Sequence, residues 1–212
     1  MHRPGTPMKT PMRSDRRRVL LGGAAALFAA TVLRPGMALA LTEDQAKALI
    51  GKAVDDVNAA IASGKTGPAL YAMFEDLYMQ YADVPTIARS VLGTASRSAT
   101  PAQMQAFTLA FRGYVSRKYG KRFREFSATR FEVVGARKVK SFIEVKSIAY
   151  MPGEEPFEVL WHVSDKSGKS LFFNMIIEGV NMLAAERTEI GAMVDARHGN
   201  LDALIADLKT AE

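Results

Sequence analysis

The 212-residue chain carries a formal net charge of +6, but residues 1–40 hold seven Lys/Arg and one Asp, so residues 41–212 balance at 21 basic and 21 acidic side chains. The high pI therefore gives no support to a nucleic-acid partner. Cysteine is absent, which excludes disulfides and thiol chemistry and leaves a packed core as the source of stability.

Residues 15–40 read DRRRVLLGGAAALFAATVLRPGMALA. Arg16-Arg17-Arg18, a short apolar run from Val19 to Leu33 and the small-residue site Ala38-Leu39-Ala40 predict a cleavable export signal over residues 1–40. Arg16-Arg17 ahead of a Gly/Ala-rich run resembles a twin-arginine pattern, with general secretory export as the alternative. The mature chain is expected to start at Leu41, to reach the periplasm and to form one domain over residues 41–212.

Thr42 to Gln45 has capping-box spacing, and Leu49, Val54, Val57 and Ile61 follow at helical intervals up to Ser63-Gly64. Gly67-Pro68 opens a second helix with Leu70, Met73, Phe74, Leu77 and Tyr81; Asp83 and Pro85 start a third that Gly93 closes. Thr100-Pro101-Ala102-Gln103 places a cap, a first-turn proline and a capping glutamine in order. Met104, Phe107, Phe111, Val115 and Tyr119 then run down one face to Gly120.

Beyond about residue 128 the apolar period changes from near four to two. Phe131–Val133, Ile143–Val145, Phe157–Val163 and Leu171–Ile177 read as four strands separated by Gly135, Pro152-Gly153 and Ser167-Gly168, an antiparallel meander. Helical pattern returns from Asn181 to His198, stops at Gly199 and resumes over Leu201–Leu208. The class is α+β: N-terminal helices, a four-stranded antiparallel sheet and C-terminal helices packed on one face of the sheet.

Catalytic patterns are scarce. After residue 40 the histidines are His162 and His198, neither with a partner at metal-ligand spacing. His162 reads as a second-face strand residue, His198 as a helix C-terminal one. No serine sits in Gly-x-Ser-x-Gly, and the adjacent pairs Asp55-Asp56 and Glu154-Glu155 diverge rather than converge. No catalytic residue, metal or cofactor is expected, and the chain does not read as an enzyme. One charge cluster stands out: ten Lys/Arg against two Glu between Arg112 and Lys140. A solvated helix face is one reading; an anionic lipid surface or acidic partner is the other.

Ile177-Glu178-Gly179-Val180-Asn181, then Ala185-Glu186-Arg187-Thr188-Glu189-Ile190 and Gly199-Asn200-Leu201-Asp202-Ala203-Leu204-Ile205, resemble the MlaC (toluene-tolerance) family of periplasmic phospholipid-binding proteins. Asp83, Ile87–Gly93, Ala99–Gln103 and Phe107–Phe111 match the helical half of the same family. The resemblance spans roughly residues 42–208, although Ser170 and Asn174 stand where a Trp and an Asp tend to occur. It implies a monomeric, non-catalytic shuttle for a phospholipid. Its partners would be an inner-membrane lipid-binding component associated with an ABC transporter and an outer-membrane lipoprotein complex, with no nucleic acid. A hopanoid or other small apolar ligand is the competing cargo, and a remote enzyme of similar fold comes third.

For such a carrier the expected pocket lies between the helices and the sheet. Its helical wall is assigned to Val91, Phe107, Phe111 and Val115. Strand alternation assigns the sheet wall to Val145, Ser147 and Ala149, to Val159 and Trp161, and to Phe173, Met175 and Ile177. Ser147 and Ala149 are small among large neighbours, so either helix side chains or lipid tails must fill the space beside them. Arg117, Lys118, Lys121 and Arg122 are the candidates for headgroup or partner docking.

Overall fold

The computed structural model describes residues 40–121 and 130–211. Residues 1–39 of the expected export signal, and Arg122 among the docking candidates, lie outside the described residues. Among the described residues there are six α-helices and a five-stranded sheet: α1 (Glu43–Ala62), α2 (Pro68–Tyr81), α3 (Val84–Leu92), α4 (Pro101–Gly120), β1 (Arg130–Val139), β2 (Phe142–Tyr150), β3 (Phe157–Ser164), β4 (Leu171–Ile177), β5 (Val180–Asn181), α5 (Met182–Asp195) and α6 (Leu201–Leu208). Among these residues no helix is long and apolar enough to cross a membrane, and no group of metal-ligating side chains occurs.

The helices begin where local side chains satisfy their first amides. Thr42 Oγ1 accepts from Gln45 N (3.2 Å) while Gln45 Oε1 accepts from Thr42 N (3.0 Å). Thr100 and Gln103 repeat this capping box at α4, and Asp83, Asn181 and Asn200 cap α3, α5 and α6. Such contacts reach three residues along the chain, which is why they are readable from spacing. A 3₁₀ turn, Gly93–Arg97, follows α3 where the sequence marks only a stop.

The strands pair antiparallel in the order β1-β2-β3-β4-β5. The sheet has one strand more than expected because Glu178 (φ 48°) and Gly179 (φ 78°) both adopt the left-handed region, and Ile177 pairs with Val180 across them. Two such residues make the tight hairpin turn whose twist suits antiparallel strands. Gly135 is not a strand boundary. It sits inside β1 at a shift of register between Val133 and Gly135, and the chain reverses instead at Lys140 (φ 51°).

A second bulge alters which side chains face inward on β4. Trp161 pairs with Met175 and His162 with Asn174, but Val163 pairs with Phe172, so Phe173 is the extra residue. A bulge turns the strand by one residue and exchanges its faces. Phe172 consequently lies inward, edge-on to Trp161 at 5.5 Å between ring centroids. Strict alternation places Phe173 on the inward face; its ring instead packs on Phe142 (5.5 Å) and His162 (5.8 Å) on the other one.

The main core joins the sheet to the helices. Ile143, Val145, Val163 and Phe172 meet Ile50, Ala88, Val91, Phe107, Phe111, Ile190, Leu204 and Leu208 in one contiguous cluster. Asp83 N donates to the Phe172 carbonyl (2.8 Å), tying the junction of α2 and α3 to the start of β4. This bond holds the helical layer in register over the inward face.

Candidate functional site

The inward face of the sheet has two ends. At one, Val145 and Val163 are fully covered by the helical core. At the other, Ser147, Ala149 and Val159 are also buried but do not join that cluster among the described residues. Beside them Trp161, Met175 and Ile177 point inward by register and still retain partial exposure. Trp161, Met175 and Ile177 thus keep apolar surface accessible on the inward face, next to Ser147, Ala149 and Val159, which protein atoms cover.

Local hydrogen bonding shapes this end. The indole Nε1–H of Trp161 donates to Ser147 Oγ (2.9 Å), and Ser147 Oγ donates to the Val159 carbonyl (3.3 Å). The small residue on β2 thus satisfies the one polar atom of the indole, whose remaining surface is free for apolar contact. Ala149 sits between its cross-strand neighbours Phe131 and Phe157.

The assigned pocket residues divide accordingly. Val91, Phe107, Phe111 and Val145 belong to the main core, and Val115 packs against it half-buried. Trp161, Met175 and Phe173 also pack against it while partly exposed, the Phe173 ring meeting Phe142 and His162 as well, and Ser147, Ala149, Val159 and Ile177 stand outside it among the described residues.

The basic belt is less free than its composition suggests. Arg117 donates to the carbonyls of Ala211 (2.9 Å) and Leu208 (2.6 Å), tying α4 to the end of α6. Lys118 pairs with Glu186 (2.7 Å) and with Glu189. Tyr119 also donates to Glu186, and Tyr114 to Glu189. Burial opposes the Lys118 ammonium, but these two carboxylates outweigh it and raise its pKa above the ordinary lysine value. Burial pushes the Tyr114 phenol up to about 12, with its bond to Glu189 adding to the effect.

This polar cluster adjoins the main core through Tyr78. The Tyr78 ring lies 6.5 Å from Phe172, and burial, with the nearby charge of Glu186, raises its phenol well above the ordinary range. Sequence spacing does not reveal the cluster. Lys118 and Glu186 are 68 residues apart, although Glu186 and Glu189 are placed to share a face of α5.

A second polar group lies on the outer face. Glu144, buried between strands, accepts from Arg137 Nε (2.7 Å), and its Oε2 lies 3.3 Å from His162 Nε2. Burial lowers the His162 pKa below 6.5, with Glu144 pulling the other way. A depressed folded pKa means that the unfolded chain binds the proton more readily. The associated stability is present above about pH 6.5 and is lost as pH falls below it. His162→Gln should therefore flatten the fall in melting midpoint between about pH 7 and 5 relative to the unsubstituted protein. Parallel curves for the two proteins would refute this assignment.

A family model described as "MlaC protein" matches residues 51–210. Among solved structures the chain is similar to a phospholipid-binding protein from Ralstonia solanacearum, determined in complex with a phospholipid. The TM-score is 0.62 at 21% sequence identity, covering 77% of this chain and 98% of that one. At that identity the likeness speaks for a shared α+β fold.

Proposed function

The chain belongs to the MlaC family, and from that premise we propose that it is a non-catalytic carrier that binds a phospholipid by its acyl chains. The observation that carries this reading is the apolar surface that Trp161, Met175 and Ile177 keep accessible on the inward sheet face, beside the small residues Ser147 and Ala149. The phospholipid held by the Ralstonia solanacearum protein, which shares the fold, supports the same ligand class. In this reading residues 1–40 are removed on export, residues 41–212 work as a monomer in the periplasm, and the lipid moves between outer-membrane and inner-membrane complexes of an ABC-type system.

Free-energy magnitudes favour a carrier that encloses the tails. Removing about 30 methylenes from water at about 0.8 kcal/mol each is worth on the order of 20 kcal/mol, near the ceiling for non-covalent binding. Tails in a bilayer are already out of water, so a protein that matches the bilayer can exchange lipid with it near thermoneutrality.

Native mass spectrometry of the protein purified from its own cells, followed by lipid extraction, tests the reading. One phospholipid per chain is the expected result, with vesicle-to-vesicle transfer of a labelled phospholipid accelerated by the protein. A hopanoid in place of phospholipid would replace the cargo, and lipid-free protein that transfers nothing would overturn the carrier.

A further inference from the structure

We infer that Glu186 selects lipids whose polar end presents a hydrogen-bond donor, a primary ammonium above all, and that the polar cluster of α2, α4 and α5 is the headgroup subsite. The inference rests on the carrier reading and adds a specificity to it. Glu186 is only 6% exposed, and its Oε1 accepts from both Lys118 and Tyr119. Its Oε2 is buried and has no hydrogen-bond partner among the described residues. A buried carboxylate oxygen without a donor is costly, because it has given up water for nothing.

Charge narrows the class of donor. Among the described residues one ammonium, Lys118, stands against two carboxylates, Glu186 and Glu189, so these three side chains together carry a net negative charge despite the basic composition of the surrounding sequence. An anionic headgroup would add repulsion. A zwitterion with a primary ammonium matches both signs, its N–H groups turned to Glu186 Oε2 and its phosphate toward Lys118. Quaternary ammonium carries the same charge with no N–H to give.

Position favours this use. Tyr78 contacts Phe172 with its ring, while its phenol lies within electrostatic reach of Glu186 and Tyr119. Phe172 in turn meets Trp161 edge-on. The cluster is therefore linked through the core side chains Tyr78 and Phe172 to Trp161, beside which acyl chains are placed by the carrier reading.

Competition binding of delipidated protein to phosphatidylethanolamine, phosphatidylcholine and phosphatidylglycerol, with bound lipid counted by native mass spectrometry, decides the matter. These share tails and differ in donor and net charge. Phosphatidylethanolamine is expected to win over phosphatidylcholine by about tenfold, the worth of one hydrogen bond to a charged group. Glu186→Gln is expected to bring that ratio close to one. Because the ratio is taken within one sample, a partly unfolded variant does not distort it, and the unsubstituted protein tests the preference without any variant. Equal binding of the two lipids, a preference for phosphatidylglycerol, or a ratio unmoved by Glu186→Gln would each overturn the inference. Failure to bind any of the three would instead remove the carrier reading beneath it.

Discussion

Phe111→Ala should lower stability by about 3–5 kcal/mol, the usual cost of emptying a fully buried phenyl site. Phe111 has no solvent exposure, stacks on Phe107 at 5.7 Å and touches Tyr114 at 6.3 Å between ring centroids. Its neighbours are held by helices and the sheet together, so the site cannot collapse cheaply. For a domain of this size the melting midpoint should fall by roughly 6–20 °C. Bound lipid per folded chain should stay unchanged, since the lost contacts are those of the main core. Thermal melting together with mass spectrometry checks both halves, and a variant that melts normally but has lost its lipid would move Phe111 from the core to the pocket.

Ala149→Trp should do the reverse. Ala149 is buried but, among the described residues, stands outside the contiguous core, between Phe131 and Phe157 and on the same face as Trp161 and Ile177. An indole there is expected to take the place of acyl chain, abolishing lipid binding with little change in the melting midpoint. If side chains rather than lipid filled that space, the same substitution would overpack it at a cost of typically about 1–3 kcal/mol and lipid would be retained. Bound lipid and melting midpoint measured on one preparation separate the two outcomes. Paired with Phe111→Ala, the variant divides the inward face into a part that stabilises and a part that binds.

Much of the fold is legible in the sequence, for a physical reason particular to each element. Thr42 with Gln45 and Thr100 with Gln103 cap helices through bonds three residues long, so spacing alone locates them. Alternation along β2 and β3 marks the inward face because each side chain on a strand must point opposite to the last. The family resemblance lies in the same local runs, Asp83–Gly93 and Ile177–Ile205, and the family match covers them.

The site is legible in part. Alternation brings out Ser147, Ala149, Val159 and Trp161, but it does not anticipate the bulge that turns Phe173 away and Phe172 inward, because a bulge is set by pairing with the neighbouring strand. The belt of Lys and Arg is visible as charge, while the partners of Lys118 on α5 are not.

Composition and periodicity by themselves determined the neutral balance of residues 41–212, the helix starts and the α+β class, since these depend on neighbours along the chain. Tertiary structure alone decided that Lys118 is neutralised, that Glu144 meets His162 across two strands and that Glu186 keeps an oxygen unpaired among the described residues. Those outcomes depend on which distant segments share a low-dielectric interior, where a single partner gained or missed outweighs the charge pattern of a whole helix.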